Sequence, residues 1–199
     1  MNDLIDKLRE AIFKPSPQAQ QAQENWFKNY PHEQGWKQNS DGSYDVKGSV
    51  DLSDKGWTKL PWKFRRVGED FFCDNNLLTT LEGAPQHVGG DVFCTNNRLT
   101  TLEGAPQHVD GSFYCDYNQL ITLKGAPQRV GRSFFCDSNQ LTTLQGAPQY
   151  VGGSFSCYSN QLTSLEGAPQ HVGEHFSCGN NPKSARNLKT TVKREYFQE

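Results

Sequence analysis

The sequence lacks the marks of a membrane, nucleic-acid or catalytic protein. No apolar run approaches the roughly 20 residues that a bilayer-spanning helix needs, and the opening MNDLIDKLREAIF is too charged for a secretion signal. Net charge is only −2 over 199 residues, so the chain has no excess of basic charge to meet phosphate backbones. A Gly-x-Ser-x-Gly elbow is missing, as is a glycine-rich phosphate loop opening a helix. The six cysteines contain no Cys-x-x-Cys pair, the usual start of a tetrahedral zinc site. Hydrophobic content is 34%, low for a globule but natural where surface is large relative to core. From these absences we expect a cytoplasmic, non-catalytic protein with no cofactor, metal, nucleic acid or membrane in its chemistry.

What is present is repetition. FFCDNNLLTTLEGAPQHVGGD, VFCTNNRLTTLEGAPQHVDGS and FYCDYNQLITLKGAPQRVGRS are each 21 residues long, and every cysteine falls at the same point of the period: Cys73, Cys94, Cys115, Cys136, Cys157 and Cys178. Two residues before each stands Phe or Val, and three after it Asn: Asn76, Asn97, Asn118, Asn139, Asn160 and Asn181. Leu follows at five and eight, then Gly-Ala-Pro-Gln, then Val at fifteen. A unit this short cannot bury its apolar side alone, so a fixed period of this size means stacked turns. Phe-x-Cys has strand spacing, whereas Leu-x-x-Leu before Gly-Ala-Pro fits neither a strand nor a full helix. One short parallel strand per turn is therefore expected, with Pro on a back wall that makes no ladder bonds. The Cys column reads as small, reduced, inward-facing hydrophobes, and the Asn column as buried amides serving the backbone at each bend. Unpaired thiols also fit a reducing compartment.

Phe-x-Cys-x-x-Asn-x-Leu-x-x-Leu resembles the leucine-rich repeat. The short unit ending in Leu-x-Gly-Ala-Pro is similar to the compact bacterial class known from secreted effectors, and more so to uncharacterised repeat proteins of tailed bacteriophages. The resemblance covers about Val50 to Pro182. It implies a binding scaffold and does not by itself imply an activity.

The flanks complete an expected α+β repeat protein. Residues 1–34 read as a helical arm: Leu4, Ile5, Leu8, Ile12 and Phe13 share a face, and a second helix runs from about Pro17 to Tyr30. Residues 35–70 read as a capping hairpin, turning at Asn39-Ser40-Asp41-Gly42, followed by a degenerate first repeat from Val50 with Lys55 in the Asn column. The solenoid proper occupies 71–182. Residues 183–199 read as a helical cap with Ser184 as N-cap and a basic patch from Lys183 to Arg194.

Side chains alternate along a strand, so with Phe71 and Cys73 inside, Phe72 and Asp74 face out. The outer face then carries Phe72, Phe93, Tyr114 and Phe135 in consecutive turns, with Asp74, Asp116, Asp137 and Tyr158 in the next column and Tyr117 beside it. An exposed aromatic strip with an acidic margin suggests docking of a protein partner with a basic surface. The partner could be a host factor of a phage-encoded protein. Self-association as an assembly part is the alternative, with a nucleic-acid mimic or an enzyme less favoured. Stacking that serves only the sheet is the competing account of the strip. His171-Val-Gly-Glu174-His175 matches the H-x-x-E-H string of some zinc peptidases, but Gly173 should sit in a bend and His171 belongs to a repeat column.

Overall fold

The computed structural model describes Tyr30 and residues 35–182. The chain divides into two compact units, Met1–Trp36 and Lys37–Glu199. In the first, the rings of Tyr30 and Trp36 meet edge to face at 5.3 Å.

The second unit opens with a hairpin in which Lys37–Gln38 runs antiparallel to Tyr44–Val46. Its turn is held by the Gly42 N–H donating to the Asn39 carbonyl and by Asp41 Oδ1 accepting from the Ser43 N–H and hydroxyl. Tyr44–Val46 then pairs in parallel with Phe64–Val67, which lays the hairpin along a sheet edge. From Val50 onward the chain coils, and each residue in a strand lies opposite the residue 21 places further on, as Phe93 does Tyr114. Equal places in the repeat are neighbours in space.

Each turn contributes two strands, not one. Val50–Asp51, Phe71–Phe72, Val92–Phe93, Phe113–Tyr114, Phe134–Phe135, Phe155–Ser156 and Phe176–Ser177 form a seven-stranded parallel sheet, here the aromatic sheet. Phe64–Val67, His87–Val88, His108–Val109, Arg129–Val130, Tyr150–Val151 and His171–Val172 join the hairpin in an eight-stranded sheet, here the valine sheet. The expected α+β class is therefore wrong for the described residues. They form a two-sheet β-solenoid, with helix only at Tyr30. The rest of the helical arm (1–34) and the whole helical cap (183–199) lie outside the described residues.

The back wall was misjudged because proline silences one N–H, not its neighbours. Ladder bonding resumes at the very next residue, where the Gln107 N–H donates to Gln86 O at 3.0 Å, and it continues through Gly131 N–H to Val109 O at 2.9 Å. The turns bend sharply between these short strands. One bend is made at the glycine of Gly-Ala-Pro: Gly125 has φ +92°, and a Cβ there would stand 2.5 Å from the Leu102 carbonyl of the turn before.

Between the sheets the Phe/Val, Cys, Leu, Leu and Val columns interlock. Phe113, Cys115, Leu120, Leu123 and Val130 are all fully buried, each large side chain worth about 1.5–3 kcal/mol by burial alone. Phe113, Phe134, Phe155 and Phe176 stack inside the coil at 5.3–5.5 Å.

The buried asparagines do not bond to one another. Asn118 Oδ1 accepts from the Leu99 N–H at 3.0 Å, while Nδ2 donates to Cys94 O in the preceding turn (3.0 Å) and to Cys115 O and Asp116 O in its own (both 3.2 Å). Asn97, Asn139, Asn160 and Asn181 repeat the pattern. Asn76, above the turn that has Lys55 instead, takes two N–H groups, from Lys55 and Trp57. The amide column is thus a stitch between successive turns.

None of the six cysteines is in a disulfide; Cys73, Cys94, Cys115, Cys136 and Cys157 are buried and Cys178 is half-buried. Burial pushes the buried thiols well above their ordinary range, which keeps them protonated and unreactive. Those of Cys94, Cys115 and Cys136 sit 3.2 Å from a carbonyl of the next turn, as weak donors.

Candidate interaction face on the aromatic sheet

Strand alternation with Phe71, Phe113 and Phe134 inside leaves Phe72, Phe93, Tyr114 and Phe135 on the outer face, each half-buried. Their rings lie face to face: Phe72 on Phe93 at 4.8 Å, Phe93 on Tyr114 at 4.7 Å, and Tyr114 on Phe135 at 5.0 Å, with planes within 11° of parallel. The spacing is that of adjacent strands, so the backbone imposes it. Both expected effects are therefore present: the rings stack across strands and remain partly exposed. Along the strip each inner ring is covered on both faces by its neighbours, and a ring face without another described ring against it occurs only at the two ends.

Asp74, Asp116 and Asp137 form the neighbouring column, all half-buried. Asp116 Oδ1 accepts from the Asp137 N–H at 2.9 Å, and Asp137 Oδ1 from the Ser156 hydroxyl at 2.6 Å and the Tyr158 N–H at 2.7 Å. Burial pushes the Asp116 carboxyl up to about 6, with repulsion from Asp137 adding to it. Burial likewise raises Asp137 against the opposing pull of its hydrogen bonds, and raises Asp74, where Asp54 and Asp51 add repulsion. No cation pairs with any of these three among the described residues. Other carboxylates of the same unit do have partners: Arg65 binds Asp45 through both nitrogens of a fork, and Lys124 reaches Glu103 at 2.7 Å. Asp70 and Asp91, on the strip's other flank, make the same next-turn contact as Asp116 and Asp137, each accepting an N–H (Asp91 and Ser112, at 2.7 and 2.6 Å).

Sequence reading placed Tyr117 and Tyr158 on this face; they are 66% and 47% exposed. It missed the backbone at Tyr117. Asp54, Asn75, Asn96, Tyr117, Ser138, Ser159 and Asn180 all have φ between 51° and 58°. Asn and Asp tolerate that left-handed region, but a bulky tyrosine does not favour it. Asn96 uses the position to donate to Asn75 Oδ1 at 2.9 Å, whereas Tyr117 presents its ring to solvent. Four residues on, Ile121 is 58% exposed where the other turns carry Thr79, Thr100, Thr142 and Thr163. A misfit read against its own column was the available signal for both.

The H-x-x-E-H string folds as strand, bend and strand. His171 stacks on Tyr150 at 4.5 Å in the valine sheet, and the His175 N–H donates to Ser154 Oγ, so the helical geometry of a zinc peptidase is not formed. Among the described residues no three His, Cys, Asp or Glu side chains converge as metal ligands, and no helix is long and apolar enough to cross a membrane. No family model, curated protein or solved structure matches the chain.

Proposed function

We propose that this protein is a non-catalytic scaffold that binds a protein partner with a basic surface through the outer face of the aromatic sheet. The observation that carries this reading is the pairing of an exposed stack, Phe72 to Phe135, with three half-buried carboxylates, Asp74, Asp116 and Asp137, that have no cation of their own among the described residues. Leaving a desolvated carboxylate unpaired costs stability, and a partner's Lys or Arg offsets that cost on docking. Tyr117 and Ile121 add exposed apolar area where the repeat elsewhere uses Asn, Ser or Thr, and Tyr117 does so in a strained conformation. The acidic margin repels phosphate, which favours a protein over nucleic acid. The same carboxylates lie on an open surface, without the enclosure that sets acid and base apart in an active site.

The finer parts of this proposal rest on the resemblance to short bacterial and phage leucine-rich repeats: a bacterial cytoplasm and, for a phage protein, a host factor as partner. Buried, unbridged thiols agree with a reducing compartment. The test is affinity purification from bacterial lysate with the wild type, Tyr117→Asn, and Asp116→Asn combined with Asp137→Asn. A defined partner held by wild type and lost from both variants, each of normal thermal stability, supports the reading. Equal capture by all three, or a mass that rises with concentration in place of any partner, overturns it.

A further inference from the structure

The aromatic column stops abruptly. Phe135 lies directly opposite Ser156 in the next turn, and Ser156 opposite Ser177, so two turns of small side chains follow four turns of rings. Phe135 stacks on Tyr114 through one face, and no described ring meets its other face. The result is a step: the Phe135 ring face that meets no other described ring stands over a floor of small side chains, Ser156 recessed at 9% exposed and Ser177 half-buried. Asp137 borders the floor, and both its hydrogen bonds end on Oδ1, leaving Oδ2 without a partner among the described residues. Ser154, two residues before Ser156, donates its hydroxyl to a second carboxylate, Glu174, at 3.0 Å.

The valine sheet has already filled the equivalent position. There the Arg129 guanidinium lies over the Tyr150 ring of the next turn, 3.9 Å from its centroid, and Tyr150 stacks on His171. One turn of this coil is therefore the right spacing for a guanidinium to cap a stack of rings. On the aromatic sheet the ring and the acid are in place and, among the described residues, no cation joins them.

We propose that this step receives an arginine side chain of the protein partner, its guanidinium stacked on the open face of Phe135 and bonded to Asp137 Oδ2. The inference rests on the binding reading above and names the chemistry of its contact. Arginine fits better than lysine because a planar fork can stack and pair at once. A partner's aromatic ring would stack equally well but would leave Asp137 unpaired. Sugars and neutral bases could stack on the same face but, carrying no cation, would likewise leave Asp137 without a counter-charge.

The probe is N-acetyl-arginine methylamide, titrated into the full chain and followed by NMR, with the lysine and citrulline analogues as controls. Saturable shifts at Ser156, Ser177 and the Phe135 ring are expected in the millimolar range, the strength of a single small contact. Binding should be at least about fivefold weaker for lysine and citrulline, and should fall about as much in Asp137→Asn or Phe135→Leu. Ser156→Phe, which continues the stack, should abolish it without requiring that any ring be removed. Absent saturation, equal binding of citrulline, or full binding by Ser156→Phe would overturn the proposal. Should arginine fail to bind while partner capture still depends on Tyr117 and Asp116, the face stands and the step falls. Should arginine bind while capture ignores those residues, the step stands as an arginine site and the face reading falls.

Discussion

The two outer faces of the coil are built from the same repeat, yet they treat charge in opposite ways. On the valine sheet Arg65 forks onto Asp45, Arg129 covers Tyr150, and His87 Nε2 lies 3.3 Å from Asp110, close enough for an ion pair though not aligned as a hydrogen bond. On the aromatic sheet the three carboxylates beside the rings accept only from neutral groups, Asp74 from Asn75 and the others from Asp137, Ser156 and Tyr158. Rings stack on both faces, at 4.7–5.0 Å on the aromatic sheet and 4.5 Å for Tyr150 on His171, so stacking alone does not distinguish them. Among the described residues, Arg65, Arg129 and His87 find partners on their own sheet, whereas Asp74, Asp116 and Asp137 have no cation. This difference in self-sufficiency, more than aromatic content, is the support for proposing the aromatic sheet as a binding surface.

Damage to the interior common to both faces should have the largest effect. Asn118→Ala strands the Leu99 N–H and leaves the Cys94 carbonyl with only the longer bond from Asn97 of its own turn, and should cost on the order of 3 kcal/mol in denaturant unfolding. A loss below about 1 kcal/mol would mean that water replaces the amide and that the stitch is not needed.

Next come the stacks. Tyr114→Ser removes two ring contacts on the aromatic sheet, and Tyr150→Ser removes one ring and one guanidinium contact on the valine sheet. Each should lower stability by about 1–3 kcal/mol, and only the first should weaken partner capture. Equal loss of capture from both would erase the contrast between the faces. A double change of Phe93 and Phe135 would be less informative, because together those rings take part in all three stacked pairs.

A smaller effect should follow pH. The folded Asp116 carboxyl holds its proton up to about 6, against 3.8 for the ordinary side chain. Between those values the folded chain binds more protons than the unfolded one, so this group's effect on stability worsens as pH rises through the window. Asp116→Asn keeps the oxygen that accepts from the Asp137 N–H. It should raise the melting temperature at pH 7.5 and leave it nearly unchanged at pH 4, while a cationic partner should bind wild type less well below about pH 6. Opposite pH trends would show that Asp116 is paired after all.

Smallest of all, Tyr117→Asn should stabilise the fold by about 0.5–1 kcal/mol by restoring a residue that tolerates φ 53°. If it also removes binding, the strain belongs to function; destabilisation would show instead that the ring packs usefully at rest.

The column map was legible because period 21 is strict: Cys94 is fully buried and Phe93 and Phe135 keep part of their surface in solvent, as alternation demands. The second strand of each turn was not, since two residues such as Arg129–Val130 are too few to show a period and the proline before them looks like an ending. Helix was expected only in the flanks; within the coil Leu120 and Leu123, spaced for neither a strand nor a full helix, line an irregular bend whose order comes from Asn118 and Asn139, tertiary partners that local spacing cannot reveal. For the face, the identities of the rings and acids could be read directly. The missing cations, the left-handed tyrosine and the step at Ser156 needed coordinates, because each is a relation between turns.

Since Phe72, Phe93, Tyr114 and Phe135 align solely through the 21-residue register, a gene that gains or loses one whole repeat changes the stack by a level and leaves every surviving column aligned. Unequal recombination between such similar coding segments can therefore lengthen or shorten the grip without redesigning it. A slip of a single codon within the repeat, by contrast, turns the rings inward and the core out.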